Sequence, residues 1–394
     1  MMQKIGSEKT SRIMIFASLL LVAIAIRVFL LHIVSPDITV FEGVWYDQFI
    51  KVGRLDAFKE IFYNYQPPLL YLIDVTTLFR FIPKEVAIKL ISVVFDFSAA
   101  FAVFKILELK FPGENKKWIG FFSLLLLPTV FVESGMWGQS DIIYTSFLIW
   151  SLYFLLKGKN LTALFLFSVA FAFKLQALFF APILVILFFR KKIPFWMFFI
   201  IPVVYFVSVV PAWLCGGPLG KLLTMYFTQF NTYQSLSMRA PNLYLFINPG
   251  DAFTLIVRLG MAITFLLVLA YIILRLIKYK DLSTDSLCLD AAVLTFFIPF
   301  MLPKMHERYF FAGGLFLLIL ALVNRKFIWA AILAQASALM AYIPYFSGWS
   351  DLFAKIGSVI NVLLLVGLVL YFIDFHRSQG KPQKAAVQAG QGDA

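Results

Sequence analysis

The sequence predicts an all-α, polytopic membrane protein with about 12 transmembrane helices, and three observations carry that expectation. The 394-residue chain is 61% hydrophobic and 14% charged, where a soluble domain is roughly 45–50% apolar and about 25% charged. Its apolar residues fall in runs of roughly 14–25, the range that approaches or reaches the length needed to cross about 30 Å of hydrocarbon. Short basic clusters separate the runs. So few charges cannot clothe a water-soluble surface, which excludes the soluble enzyme classes. The net charge of +13 would suggest nucleic acid in a soluble chain. Here the cations lie between apolar runs and report membrane orientation, so no nucleic-acid partner is implied.

The elements follow in chain order. Residues 1–12, with Lys4, Lys9 and Arg12, form a basic N-terminus ahead of the apolar run 13–34. That run is longer than a signal-peptide core and lacks a small-residue cleavage site, so a retained first helix with a cytoplasmic N-terminus is expected. Further basic clusters occupy residues 105–117, 157–159, 190–192, 275–280, 325–326 and 377–384. If each is cytoplasmic, an even number of crossings separates neighbours. Pairs of runs divide near 137–141, at Lys174, in the stretch 215–250, at 304–308 and at 347–351. The first interval holds three runs, 13–34, 69–82 and 86–104. The middle one is only 14 residues long and carries Asp74 and Arg80, whereas a span needs roughly 20 residues. It is read as an interfacial helix.

The expected organisation is then a cytoplasmic N-terminus (1–12), a transmembrane module (13–214) containing an external loop (35–84), a second external loop (215–250), C-terminal transmembrane helices (251–375) and a polar, disordered cytoplasmic tail (376–394). Cys215 and Cys288 fall near opposite faces, beyond the roughly 7 Å that a disulfide allows. No Cys/His spacing suggests a metal.

This topology gathers the unusual polar residues on the outer face, where a site is expected. Asp37, Glu42 and Asp47 follow the first helix. Asp37 stands at its exit, where partial desolvation makes a carboxylate a stronger base, or where it serves as a loop acid or helix cap. YNYQPP at 63–68 reads as an aromatic loop ending in a helix entry, because a double proline excludes helix before it. WGQSD at 137–141 offers Trp137, Gln139 and Asp141; the last either meets a sugar hydroxyl or caps the next helix. Lys174, with Gln176 beside it, interrupts an apolar run and either snorkels to the interface or contacts an anionic headgroup. Arg239 lies in an aromatic and polar stretch suited to sugar or to the headgroup layer. The turn at 304–308 holds Lys304, His306, Glu307 and Arg308. A positive turn outside runs against the orientation rule, and its cations suit a phosphate diester. Walker A, GxGxxG, GxSxG and HExxH motifs are absent.

An acid after the first helix, the Pro67–Pro68 helix entry, WGQSD, KLQA at 174–177 and HERY at 306–309, in this order, resemble the GT-C superfamily of membrane glycosyltransferases. The likeness is greatest to prokaryotic mannosyltransferases related to GPI mannosyltransferase 2. It is more distant to the ER glucosyltransferases of lipid-linked oligosaccharide, whose KQMALYYAP and HEK segments echo residues 173–182 and HER here. It covers roughly residues 13–345. The resemblance implies a GT-C-like bundle and an inverting transfer of a hexose, mannose first, from a polyprenyl-phosphate donor to a lipid- or glycan-linked acceptor in the cell envelope. Asp37 matches the family's general base. The absence of a DxD-type pair resembles the metal-independent branch and departs from the oligosaccharyltransferase and protein-mannosyltransferase patterns. No cofactor is implied.

The residues carry the same inventory. A phosphate leaves as a stable anion and needs no acid, so one base and a set of cations suffice. Asp37 is the base in this reading. His306, Arg308, Lys174 and Arg239 meet the donor phosphate, and Asp47, Trp137, Gln139, Asp141, Gln176 and Glu307 meet the rest of the substrate. A flippase or transporter of lipid-linked sugars is the alternative, and it should show internal repeats or paired broken helices, which the sequence does not.

Overall fold

The computed structural model describes residues 2–379, and the chain divides into two compact units between Ser235 and Leu236. The described residues are all-α apart from two two-residue strands, and the protein is a multi-pass membrane protein by helix length and hydropathy.

The first unit contains α1 (Met2–Leu31), α2 (Gly43–Val52), α3 (Pro67–Thr76), α4 (Lys84–Lys110), α5 (Lys116–Leu125), α6 (Pro128–Phe131), α7 (Asp141–Leu156), α8 (Asn160–Phe173), α9 (Ala181–Phe189), α10 (Ile200–Leu214) and α11 (Leu219–Thr232). Helix α4 packs against α5 and α7, α7 against α8, and α8 against α10. Pro67 and Pro68 open α3 after an extended Gln66, as the double proline predicts. With ten residues α3 rises about 15 Å, too short to cross. Its Asp74 takes a bidentate ion pair from Arg54, at 2.7 and 2.8 Å. The stretch 215–250, read as a loop, contains the fourteen-residue α11.

The interior of this unit is organised by polar residues on one face of α4. Lys89, Ser92 and Asp96 lie three and four positions apart, which stacks them on a helix. Asp96 Oδ2 accepts hydrogen bonds from Arg27 Nε of α1 at 2.8 Å and from Ser134 Oγ at 2.6 Å. Arg27 and Asp96 are both buried.

The second unit contains α12 (Phe253–Ile277), α13 (Thr284–Met301), α14 (Phe311–Val323), α15 (Ile328–Ser347) and α16 (Leu352–Gln379). Consecutive helices pack on one another from α12 to α16. Strand β1 (Ser237–Met238) pairs in parallel with β2 (Met305–His306). The disordered tail expected at 376–394 lies outside the described residues from 380 onward, while 376–379 belong to α16. Cys215 and Cys288 form no disulfide.

The expected count of 12 spans is corrected. Among the described residues seven helices are long and apolar enough to cross, or eight if α5 and the segment Pro128–Trp137, bent by 43°, form one span. Basic-cluster counting gave each apolar run a full crossing. The chain instead uses shorter helices of 16, 14 and 13 residues for α7, α8 and α14. At 1.5 Å per residue these rise only about 20–24 Å. Helix α8 stops because Lys174 adopts an extended backbone. The cluster at 275–280 is also partly structural, because Arg275 is buried and its guanidinium meets Asp290 at 2.8 Å, with Tyr271 Oη donating to the same carboxylate.

Arg275→Met leaves Asp290 buried without its cation. It is expected to destabilise the protein by about 3–5 kcal/mol, read as a lower unfolding temperature in detergent. Replacing Asp290 with Leu in the same chain should recover most of that loss.

Candidate functional site

Helix α1 ends at Leu31, and the chain turns through Ser35 and Pro36 into Asp37. A π-helical stretch, Ile38–Glu42, follows and leads into α2. A second π-helical stretch, Val132–Trp137, leads into Gly138 and Gln139. Such stretches are rare and concentrate at functional sites, and these two meet. Trp137 Nε1 donates to Asp37 Oδ2 at 3.0 Å, and Gln139 Nε2 donates to the same oxygen. Ser35 Oγ donates to the Trp137 carbonyl at 2.6 Å and accepts from the Ile38 amide at 3.3 Å. Trp137 and Gln139 are buried, whereas Asp37 is half-buried. Rigid neutral donors thus stand behind a carboxylate that still reaches the surface.

Gly138 makes this turn possible. Its φ is 84°, a region that disfavours side chains. A Cβ there would come within 2.6 Å of Ile38 Cδ1 and 3.2 Å of Lys89 Cγ.

Asp141 neither stays on the surface nor caps α7 from outside. It is the first residue of α7, and its Oδ2 meets Lys174 Nζ at 2.8 Å with both side chains buried. The Lys174 ammonium also lies 5.5 Å from the Tyr65 ring and 5.9 Å from the Tyr144 ring, within cation–π range. Lys174 therefore does not snorkel. Gln176 follows it in a short 3-10 turn, half-buried. Asp47 is separate: its exposed carboxylate pairs with Lys84 at 2.5 Å.

In the second unit, α13 ends at Met301 and the turn to α14 is held by backbone. Lys304, at φ 63°, donates its amide to the Leu236 carbonyl at 2.7 Å. Arg239, at φ 58°, bridges to His306 beside the β1–β2 pair. Positive φ at two non-glycine residues stores strain that the surrounding bonds must hold. Glu307 points inward. Arg308 Nη1 donates to its Oε1 at 3.1 Å, and His306 Nδ1 lies 3.8 Å from Oε2. Burial pushes the Glu307 carboxyl up, but bonding to His306 and the charges of Arg308 and His306 outweigh it and hold the group below the ordinary glutamate value. Burial pushes the Lys304 ammonium down. Arg239 Nε pairs with Asp351 at 3.0 Å, and both are exposed.

The sequence-predicted residues thus fall into groups. Asp37, Trp137 and Gln139 come together, as do Asp141 and Lys174, and in the second unit Arg239, His306, Glu307 and Arg308. Sequence reasoning missed Ser35, Lys89, Ser92 and Tyr144, and it read Tyr65 only as part of the aromatic YNYQPP loop. A lone lysine inside the apolar run 86–104 was the available signal for Lys89. Among the described residues no group of three or more His, Cys, Asp or Glu side chains is placed to hold a metal. Among known proteins, no family model and no curated protein matches the chain.

Two outcomes test this geometry. Gly138→Ala is expected to lower stability by about 1–2 kcal/mol from backbone strain alone, with a further loss from the Ile38 contact, read by thermal unfolding. Because the folded-state Glu307 is the stronger acid, its contribution is complete above the ordinary glutamate range and is lost as pH falls through its folded value. Unfolding temperature against pH should therefore decline on the acid side, and Glu307→Gln should flatten that decline.

Proposed function

We propose that the protein is an integral-membrane glycosyltransferase. It moves a hexose, mannose first, from a polyprenyl-phosphate donor to a lipid- or glycan-linked acceptor hydroxyl on the outer face, with inversion. One observation carries this reading: two buried donors, Trp137 Nε1 and Gln139 Nε2, converge on one carboxylate oxygen of Asp37 at the exit of α1, and that carboxylate still reaches the surface.

In this reading Asp37 takes the proton of the acceptor hydroxyl as its oxygen attacks the anomeric carbon. The bond from that carbon to the phosphate oxygen breaks on the opposite face, and polyprenyl phosphate leaves with the electron pair. Inversion follows from the single displacement. In the second unit, His306 and Arg308 carry the chemistry that suits a phosphate, Arg308 because its planar guanidinium matches two oxygens. Lys174 and Asp141 act as a pair, and the polar neighbours Gln139 and Gln176 suit sugar hydroxyls. Arg239 keeps Asp351 as its partner, and Asp47 keeps Lys84; neither is assigned a substrate contact.

The test is radiolabelled sugar transfer by purified protein from a panel of polyprenyl-phosphate sugars to membrane lipids and glycans. Asp37→Asn should lower turnover at least about 100-fold, the low end for loss of a general base, while donor binding survives. EDTA should leave turnover unchanged if the single-base chemistry is complete. Unchanged turnover in Asp37→Asn overturns the base. Absence of transfer together with movement of lipid-linked sugar across proteoliposomes replaces the enzyme with a transporter.

A further inference from the structure

We infer that Lys89 is a positioning residue, which fixes the end of α1 so that the Asp37 carboxylate meets Trp137 and Gln139. This rests on the reading of Asp37 as the base. Lys89 is fully buried in α4. Its ammonium donates to the backbone carbonyls of Leu30 at 3.4 Å, Leu31 at 3.3 Å and Ile33. Leu30 and Leu31 are the last residues of α1, where carbonyls run out of intrahelical partners, and Ile33 lies in the turn beyond, its amide donating back to the Leu30 carbonyl at 3.1 Å. Three ammonium hydrogens meet three carbonyls at the negative end of the helix dipole. The last of them stands four residues before Asp37.

The same side chain borders the second half of the site. Lys89 Cγ lies 3.2 Å from where a Cβ on Gly138 would sit. One turn along α4, Ser92 Oγ donates to the Gln139 carbonyl at 2.7 Å. Helix α4 therefore holds both the segment that carries Asp37 and the segment that carries its two donors. Filling this space alone would favour an apolar residue, because a cation inside a span is costly. What only the lysine supplies is three donors aimed at one turn.

The experiment uses the full chain in lipid nanodiscs, with Lys89→Met, which keeps length and removes the donors, and Lys89→Gln, which keeps a neutral donor. Hydrogen–deuterium exchange reads the 33–39 segment, where the Ile38 and Thr39 amides bond to Ser35. Transfer from polyprenyl-phosphate mannose to octyl mannosides reads catalysis. In Lys89→Met, exchange across 33–39 should accelerate while peptides from α13 and α14 stay unchanged. Turnover should fall about 100-fold, as a displacement of about 1 Å in a reacting group does, with acceptor KM within about twofold. Lys89→Gln should regain part of that turnover.

Unchanged exchange in 33–39 overturns the inference, as does faster exchange with unchanged kcat, which leaves Lys89 a structural cap. Where Lys89→Met does not fold, Lys89→Gln carries the same two readouts in milder form. A wild-type chain that transfers no sugar overturns the enzymatic reading instead. The exchange pattern then decides alone whether Lys89 holds the Asp37 turn.

Discussion

A charge placed inside a membrane-spanning helix must find a counter-charge or a set of dipoles, because lipid supplies neither. Helix α4 carries two such charges, Lys89 and Asp96, on the face it turns toward its neighbours. Each demand is met by a different piece of chain. Asp96 draws in Arg27 from about one turn before the end of α1 and Ser134 from the π-helical stretch that ends at Trp137. Lys89 gathers the carbonyls at the end of α1. Two anchors on α1 fix both its rotation and its height against α4. The turn after Leu31 then has little freedom left, and the π-helical stretches on either side adjust the register so that Asp37 and Trp137 face one another. The site follows from how this unit neutralises its interior.

The same rule runs through other elements without making a site of each. Asp141 and Lys174 are buried together, and Arg275 is matched by Asp290 and Tyr271. Such pairs often add little net stability, because desolvation opposes the attraction, yet breaking one leaves a buried charge that is strongly destabilising. They specify which helices meet. At Asp37 the two donors Trp137 and Gln139 are fully enclosed and the carboxylate is not. Glu307 lies at the other extreme, enclosed between its neighbours, where it orients the side chains of His306 and Arg308.

Much of this was legible in the sequence. Long apolar runs give the spans at α1, α4 and α10, and the double proline gives the start of α3, because these depend on local length and backbone chemistry. The approach of WGQSD to Asp37 was anticipated only as a shared face; the hydrogen bonds between Asp37, Trp137 and Gln139 join residues about a hundred positions apart and leave no periodic trace. The span count failed where charge was taken as a marker of orientation. Arg275 and Lys174 look like topological or headgroup cations in a linear reading and are partners of Asp290 and Asp141 in the fold. Lys89 was passed over for the converse reason, since a single lysine in an apolar run blends into it, although a cation there demands an explanation.

The manner in which Asp37 is held bears directly on its chemistry. Trp137 and Gln139 orient one oxygen through fixed dipoles, and their burial means that they need not reorganise when the charge moves. A donor phosphate gains charge as the sugar leaves, so permanent cations suit it better than dipoles. It departs as a stable anion that needs no proton, so in the proposed displacement a second carboxylate is unnecessary.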